Sequence, residues 1–196
     1  MRKVYCLVLL CLITCGSFAQ HLATINGTTV SSKEFTWFYK KNHQGNAPAS
    51  VKELEGYLDL YINFRLKAID ARQQGLDRDT AYLAEVREFE ATLKNQKRHS
   101  ASKPDNTYLL NEYKDAVLMF NLTEKRVWGK AQNDEAGLRA YFDTNKGKYG
   151  GASLDEVRDK VVNDYQQQLE DQWVAELRKK YPVKIEQDEL RKLAKR

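Results

Sequence analysis

One pattern limits the folds open to this chain more than any other. Val157, Val161, Tyr165, Leu169, Trp173 and Leu177 recur at four-residue steps near its C-terminal end. Residues four apart share one face of an α-helix, so the spacing requires a long helix with one buried side. Ser153 and Glu156 stand in front of it at capping-box spacing, and Pro182 cannot continue it. The pattern therefore predicts a helix from Leu154 to about Tyr181. Beyond it, Val183-Lys184-Ile185 alternates as a short edge strand does.

The same signals organise the rest of the chain. Leu22 to Ile25 and Thr28 to Val30 are β-prone and flank Asn26-Gly27, a pair suited to a tight hairpin turn because both residues accept positive φ. Ser31 with Glu34 predicts a helix from near Ser32 carrying Phe35, Trp37, Phe38 and Tyr39, followed by a loop from Asn42 to Ala49. Ser50 with Glu53 opens a helix running to about Gln74 and stopped by Gly75. Its apolar residues, from Val51 and Leu54 to Leu66 and Ile69, go nearly all the way round, as in a central helix packed on several sides. Asp79 caps a third helix with Tyr82, Val86, Phe89 and Leu93 on one face, and 95–106 reads as a linker. Tyr108 to Phe120 is a fourth helix. Thr123, between Leu122 and Val127, reads as the cap of a short helix that includes Trp128. Asn133 reads as the cap of another, with Leu138, Tyr141 and Phe142 inward. Three glycines between Lys146 and Ala152 form a joint.

The N-terminus bears on compartment. Arg2 and Lys3 precede an apolar run from Val4 to Thr14, and Ser17-Phe18-Ala19 supplies a small-x-small cleavage pattern. The expectation is a signal peptide over 1–19, cut before Gln20, and export to the periplasm. The alternative is a lipoprotein anchored through Cys15, since Leu12-Ile13-Thr14-Cys15 resembles a lipobox; only in that case is a membrane a partner. All three cysteines (Cys6, Cys11, Cys15) lie in this leader, so the expected mature chain has no disulfide or thiolate metal site. Taking Arg2 and Lys3 from the 32 basic residues leaves a net charge of +3 against 27 acidic ones. Interspersed charge together with export argues against nucleic acid. The basic end, Arg191-Lys192 with Lys195-Arg196, reads as a solvated tail.

No catalytic pattern stands out. His21, His43 and His99 lack ligand-spaced partners, and Gly150-Gly151 is not followed by the Lys-Ser/Thr of a phosphate loop. The acids stand three or four residues from Lys or Arg, which reads as solvated helix faces. The chain is expected to be no enzyme and to need no cofactor or metal. Its unusual feature is eleven tyrosines, seven phenylalanines and three tryptophans in a polar sequence. Most would fill a helical core; short helices also leave ring-lined grooves that suit extended apolar peptide.

The order of segments resembles a known family. Ile25-Asn26-Gly27, then Ser32-Lys33-Glu34-Phe35, then Leu60 through Lys67 are similar to the N-terminal domain of SurA-type periplasmic chaperones. The version they resemble is that of long peptidyl-prolyl isomerases from Bacteroides-like bacteria. Leu110 through Phe120, Val127-Trp128, Tyr141-Phe142 to Lys148-Tyr149, Asp164-Tyr165 to Gln172-Trp173, and Leu177 to Val183 continue the likeness. The family carries one or two parvulin isomerase domains between these N- and C-terminal parts. Here Tyr149 is followed by Gly150-Gly151 and the terminal helix.

The resemblance implies a mainly α chaperone domain over 20–196. It has an N-terminal helical part (20–149), a glycine joint (150–152) and a C-terminal helix and strand (153–196). It further implies that Val183 to Ile185 pairs beside Ala23 to Ile25, which covers two strand edges. The function expected is an ATP-independent periplasmic holdase for unfolded envelope and outer-membrane proteins, without isomerase activity. The alternative is a non-catalytic adaptor for one folded envelope partner, and a homodimer stays open. Tyr113, Met119, Phe120, Trp128, Tyr141 and Phe142 are the candidate client-binding residues.

Overall fold

The computed structural model describes residues 21–45, 50–99 and 106–194. The expected leader, Cys15 with it, lies outside the described residues, as do Lys195 and Arg196. The architecture is mainly α with one small antiparallel sheet, as the sequence requires.

Strands β1 (His21–Ile25) and β2 (Thr28–Ser31) form the hairpin, with Asn26 and Gly27 both at positive φ (47° and 79°). That is the turn whose twist matches paired strands. Strand β3 (Val183–Ile185) lies on the other side of β1, antiparallel, with Ala23 opposite Ile185 and Ile25 opposite Val183. Backbone bonds close the pair at both ends. The Asn26 N–H donates to the Pro182 carbonyl (2.8 Å) and the Glu186 N–H to the Leu22 carbonyl (2.9 Å). The two sequence ends of the domain are thus sewn together.

Helix α1 (Ser32–Asn42) and helix α2 (Val51–Gln73) start where the capping serines place them: Ser31 Oγ accepts from the Glu34 N–H, and Ser50 Oγ from the Glu53 N–H, each at 3.1 Å. The glutamates of both boxes reach tertiary partners as well. Glu34 accepts from the Tyr61 hydroxyl (2.8 Å) and Glu53 from the Tyr39 hydroxyl. Burial and that carboxylate push the Tyr39 hydroxyl up to about 12. Helix α2 is central: Leu54, Leu58, Ile62, Leu66, Ala68 and Ala71 are buried, and it packs on β1 and on helices both before and after it in the final fold.

Helix α3 (Thr80–His99) is capped by Asp79, whose carboxylate accepts from the Ala81 N–H (2.8 Å), and it continues into the segment expected as a linker. Helix α4 (Asn106–Thr123) lies against α2 and α3. The expected Thr123 cap does not form. Thr123 is helical (φ −62°, ψ −41°), its hydroxyl donates to the Met119 carbonyl (2.7 Å), and the chain runs on through a π-helical turn, Glu124–Trp128. A cap needs extended backbone, and no Gly or Pro interrupts the helix before Gly129. Helix α5 (Gly129–Asn133) follows directly. The cap expected at Asn133 is Asp134 instead. Asp134 accepts from the Gly137 N–H (2.9 Å) and starts helix α6 (Glu135–Asn145), while Asn133 donates back to the Gly129 carbonyl (2.7 Å).

At the joint, Gly150 and Gly151 are both left-handed (φ 62° and 85°), a pair of conformations that side chains disfavour. Helix α7 (Arg158–Lys180) starts later than its capping-box spacing predicts. The Glu156 carboxylate does accept from the Ser153 N–H and hydroxyl (2.7 Å each), but 154–157 is a turn that buries Leu154. Arg191 and Lys192 of the expected tail belong to helix α8 (Gln187–Leu193), which buries Leu190 against α1, α2 and β1 and keeps both basic side chains exposed, paired with Asp188 and Glu189.

Two cores result. The larger joins the sheet, α1, α2, α4, the C-terminal half of α7 and α8. The smaller holds Ala131, Leu138, Tyr141, Phe142, Tyr149, Leu154, Val161 and Tyr165, with Leu169 bordering both.

Candidate functional site

The acids are not all on solvated faces, as the sequence suggested. Asp115 and Asp70 are buried, at 3% and 2% exposure. Asp115 of α4 pairs with Arg72 and, at 3.3 Å, with Arg65, both on α2; Arg65 in turn reaches Glu34 of α1 (3.1 Å). Asp70 accepts from Lys180 (2.8 Å), the Tyr181 hydroxyl (2.9 Å), Gln74 (3.0 Å) and Arg126 (3.4 Å). Burial alone would raise the Asp70 pKa, but the bonds from Lys180 and Tyr181 outweigh it and hold the carboxyl below its ordinary value. Each acid is saturated by donors, which suits a structural tie and not proton transfer. Spacing along the chain could not reveal these ties, because their partners lie far off in sequence.

Lys67 of α2 is also buried. It pairs with Glu170 and lies 5.4 Å from the Trp173 ring centre, while Arg126 lies 5.3 Å from the same ring. Burial lowers the Lys67 pKa. Beside this pair opens a trough of about 300 Å³. Met119 and Thr123 of α4 line it with Val127 and Trp128 of the π turn, and α7 supplies Asn163, Gln166, Gln167 and Glu170. The π turn lets Gly129 donate to the Glu124 carbonyl; a side chain on Gly129 would come within 3.0 Å of that oxygen. Such turns often mark functional positions in helices.

The structure brings three of the six expected client-binding residues together. Met119 and Trp128 line the trough, and Phe120, 49% exposed, sits edge-on to Trp128 with ring centres 5.1 Å apart. Tyr113 lies elsewhere, stacked on Phe89 at 3.8 Å and donating to Glu85 (2.9 Å) as a link between α3 and α4. Tyr141 and Phe142 are each 6% exposed inside the smaller core.

A second opening escaped sequence reasoning. Phe38, Tyr57, Leu60, Tyr61 and Phe64 line a cleft of about 200 Å³ with Asn42 and Glu112. Leu60 is 66% exposed there. The apolar residues of α2 go nearly all the way round, and nothing in their spacing says which of them solvent keeps. Leu60, Phe64 and Lys67 stand at i, i+4 and i+7, so cleft and trough open along one face of α2.

Among the described residues no group of three or more His, Cys, Asp or Glu is placed to hold a metal ion, and no helix is long and apolar enough to cross a membrane.

Set against known proteins, the chain matches no family model and no solved structure. It is similar to two curated proteins of Campylobacter jejuni, from serotypes O:23/36 and O:2, each named as a candidate peptidyl-prolyl cis-trans isomerase, Cbf2. Identity is 25% over 133 residues, 67% of this chain. The match covers 40% of each relative, so the chain spans well under two thirds of their length. The likeness is a distant one, to proteins named as candidate isomerases.

Proposed function

We propose that this chain is an ATP-independent chaperone of the bacterial envelope, a holdase that binds unfolded outer-membrane and other exported proteins without isomerising them. The observation that carries this reading is the pair of exposed Phe120 and half-buried Trp128 beside the Met119 trough. Within the trough Met119, Val127 and the Trp128 ring share the lining with the amide side chains of Asn163, Gln166 and Gln167, which offer donors and acceptors to a peptide main chain. Such a surface holds extended chain with little sequence demand.

The distant likeness to isomerases supports a role in protein folding. The signal-peptide pattern before Gln20 supports export. The joint supports the absence of an isomerase domain inserted at this point: the Ala152 N–H donates to the Tyr149 carbonyl (3.1 Å), and Tyr149 and Leu154 on either side are buried in the same core.

Light scattering by a denatured outer-membrane protein, diluted into buffer with a stoichiometric amount of this chain, tests the reading. Suppressed scattering is expected, and Phe120→Ser together with Trp128→Ser should relieve most of it. Scattering that is unchanged by the wild-type chain overturns the holdase.

A further inference from the structure

We infer that the cleft around Leu60 is a pocket for one cationic side chain, a lysine or arginine, of the bound polypeptide. The inference rests on the chaperone reading above and adds a charge preference to it.

The cleft has the chemistry such a guest requires. Four aromatic rings, Phe38, Tyr57, Tyr61 and Phe64, line it, and a cation over ring faces is attracted to their negative centres. The tyrosine hydroxyls have partners of their own: Tyr57 accepts from Asn42 (2.6 Å), itself at the cleft, and Tyr61 donates to Glu34 while accepting from Arg65 (3.1 Å). What the tyrosines offer the cleft is therefore ring. Leu60, largely exposed at the opening, suits the methylene stem that Lys and Arg carry behind their charge.

Glu112 of α4 completes the set. Its carboxylate lines the cleft and already pairs with Lys41 of α1, whose ammonium also lies 5.7 Å from the Trp37 ring centre. A cation over one of the cleft's own rings is found within the molecule itself: the Arg65 guanidinium lies 5.9 Å from the Tyr61 ring centre. Lys41 is 40% exposed and can rotate into water, leaving Glu112 to the guest. An acidic side chain would be repelled by the carboxylate, and a neutral one could pack on the rings but would leave the carboxylate to Lys41.

The experiment is fluorescence anisotropy of the full chain with short labelled peptides of leucine and serine, identical but for one central arginine or its uncharged analogue citrulline. The arginine peptide should bind about three- to tenfold more tightly. Glu112→Gln should remove most of that preference and Lys41→Met should widen it, with circular dichroism showing both variants folded. Equal binding of the two peptides, or a preference that Glu112→Gln leaves intact, overturns the pocket. If peptides bind equally while aggregation is still suppressed, the pocket fails and the chaperone reading survives. If no peptide binds and aggregation is unaffected, both fail.

Discussion

Around α2 the core carries two buried carboxylates, Asp70 and Asp115, whereas the lobe built on α5, α6 and the start of α7 buries no acid among the described residues. The lobe is closed by rings and by pairs nearer the surface. Tyr149 donates to Asp164 (3.0 Å), Tyr141 lies 5.4 Å from Tyr165, and Arg158 meets Glu135 at 2.5 Å. The difference follows from where the parts lie along the chain. The lobe is made from 131–165, so most of its contacts are local and loop closure demands little. The body brings 22–39 against 173–190. Strands, caps and ion ties between distant segments hold that closure, and the ties also fix which segments meet. The candidate binding surface falls mainly on the body and on the π turn that leads from it into the lobe.

If this contrast is right, the largest effect belongs to the body. Asp115→Ala leaves the mostly buried Arg65 and its neighbour Arg72 without their shared acid. A loss of about 3 kcal/mol is expected in urea denaturation, since removing one partner of a buried ion pair is costly even though Arg65 keeps Glu34. A loss near zero would show that the network is ornamental.

A smaller and local effect is expected in the lobe from Gly137→Ala. The added methyl would come 2.6 Å from the Tyr165 hydroxyl and 2.5 Å from the Asp134 carboxylate that caps α6. About 1–3 kcal/mol of overpacking follows. Hydrogen exchange should quicken in α6 and the first half of α7 while β1 and α2 keep their protection. Loss of protection across the whole domain would mean that the two cores are one cooperative unit.

The smallest effect concerns acid. The folded-state pKa of Asp70 lies below its unfolded value, so its contribution is complete above about pH 4 and is lost as pH falls through the lower, folded value. Asp70→Asn should therefore be less stable than the wild type at neutral pH, and the gap should narrow in acid. A gap that stays constant with pH would mean that Asp70 acts through shape alone.

Much of the fold was legible because it rests on local rules. Asn26-Gly27 accepts positive φ, Ser31 and Ser50 are shaped to cap, and the four-residue beat from Val157 to Leu177 has one helical solution. The mistakes cluster where local signals compete. Thr123 and Asn133 can cap or bond back to a preceding carbonyl, and both do the latter. Leu190 and Leu193 are sparse apolar residues in a highly charged stretch, and only packing on α1, α2 and β1 makes Leu190 core. Of the six residues chosen for binding, spacing gave all as apolar helix positions. Burial alone separated Phe120 and Trp128 at the trough from Tyr141 and Phe142 in the smaller core.

By itself the sequence determined the hairpin and most of the helices, since backbone preference and hydrophobic period act within a few residues, and the family likeness supplied the pairing of β3 with β1. The tertiary structure decided the rest: that Asp70 and Asp115 are structural ties, that Leu60 stays in water, and that four rings and Glu112 share one cleft. Those outcomes depend on which distant surfaces exclude solvent from each other, and no short-range rule encodes that.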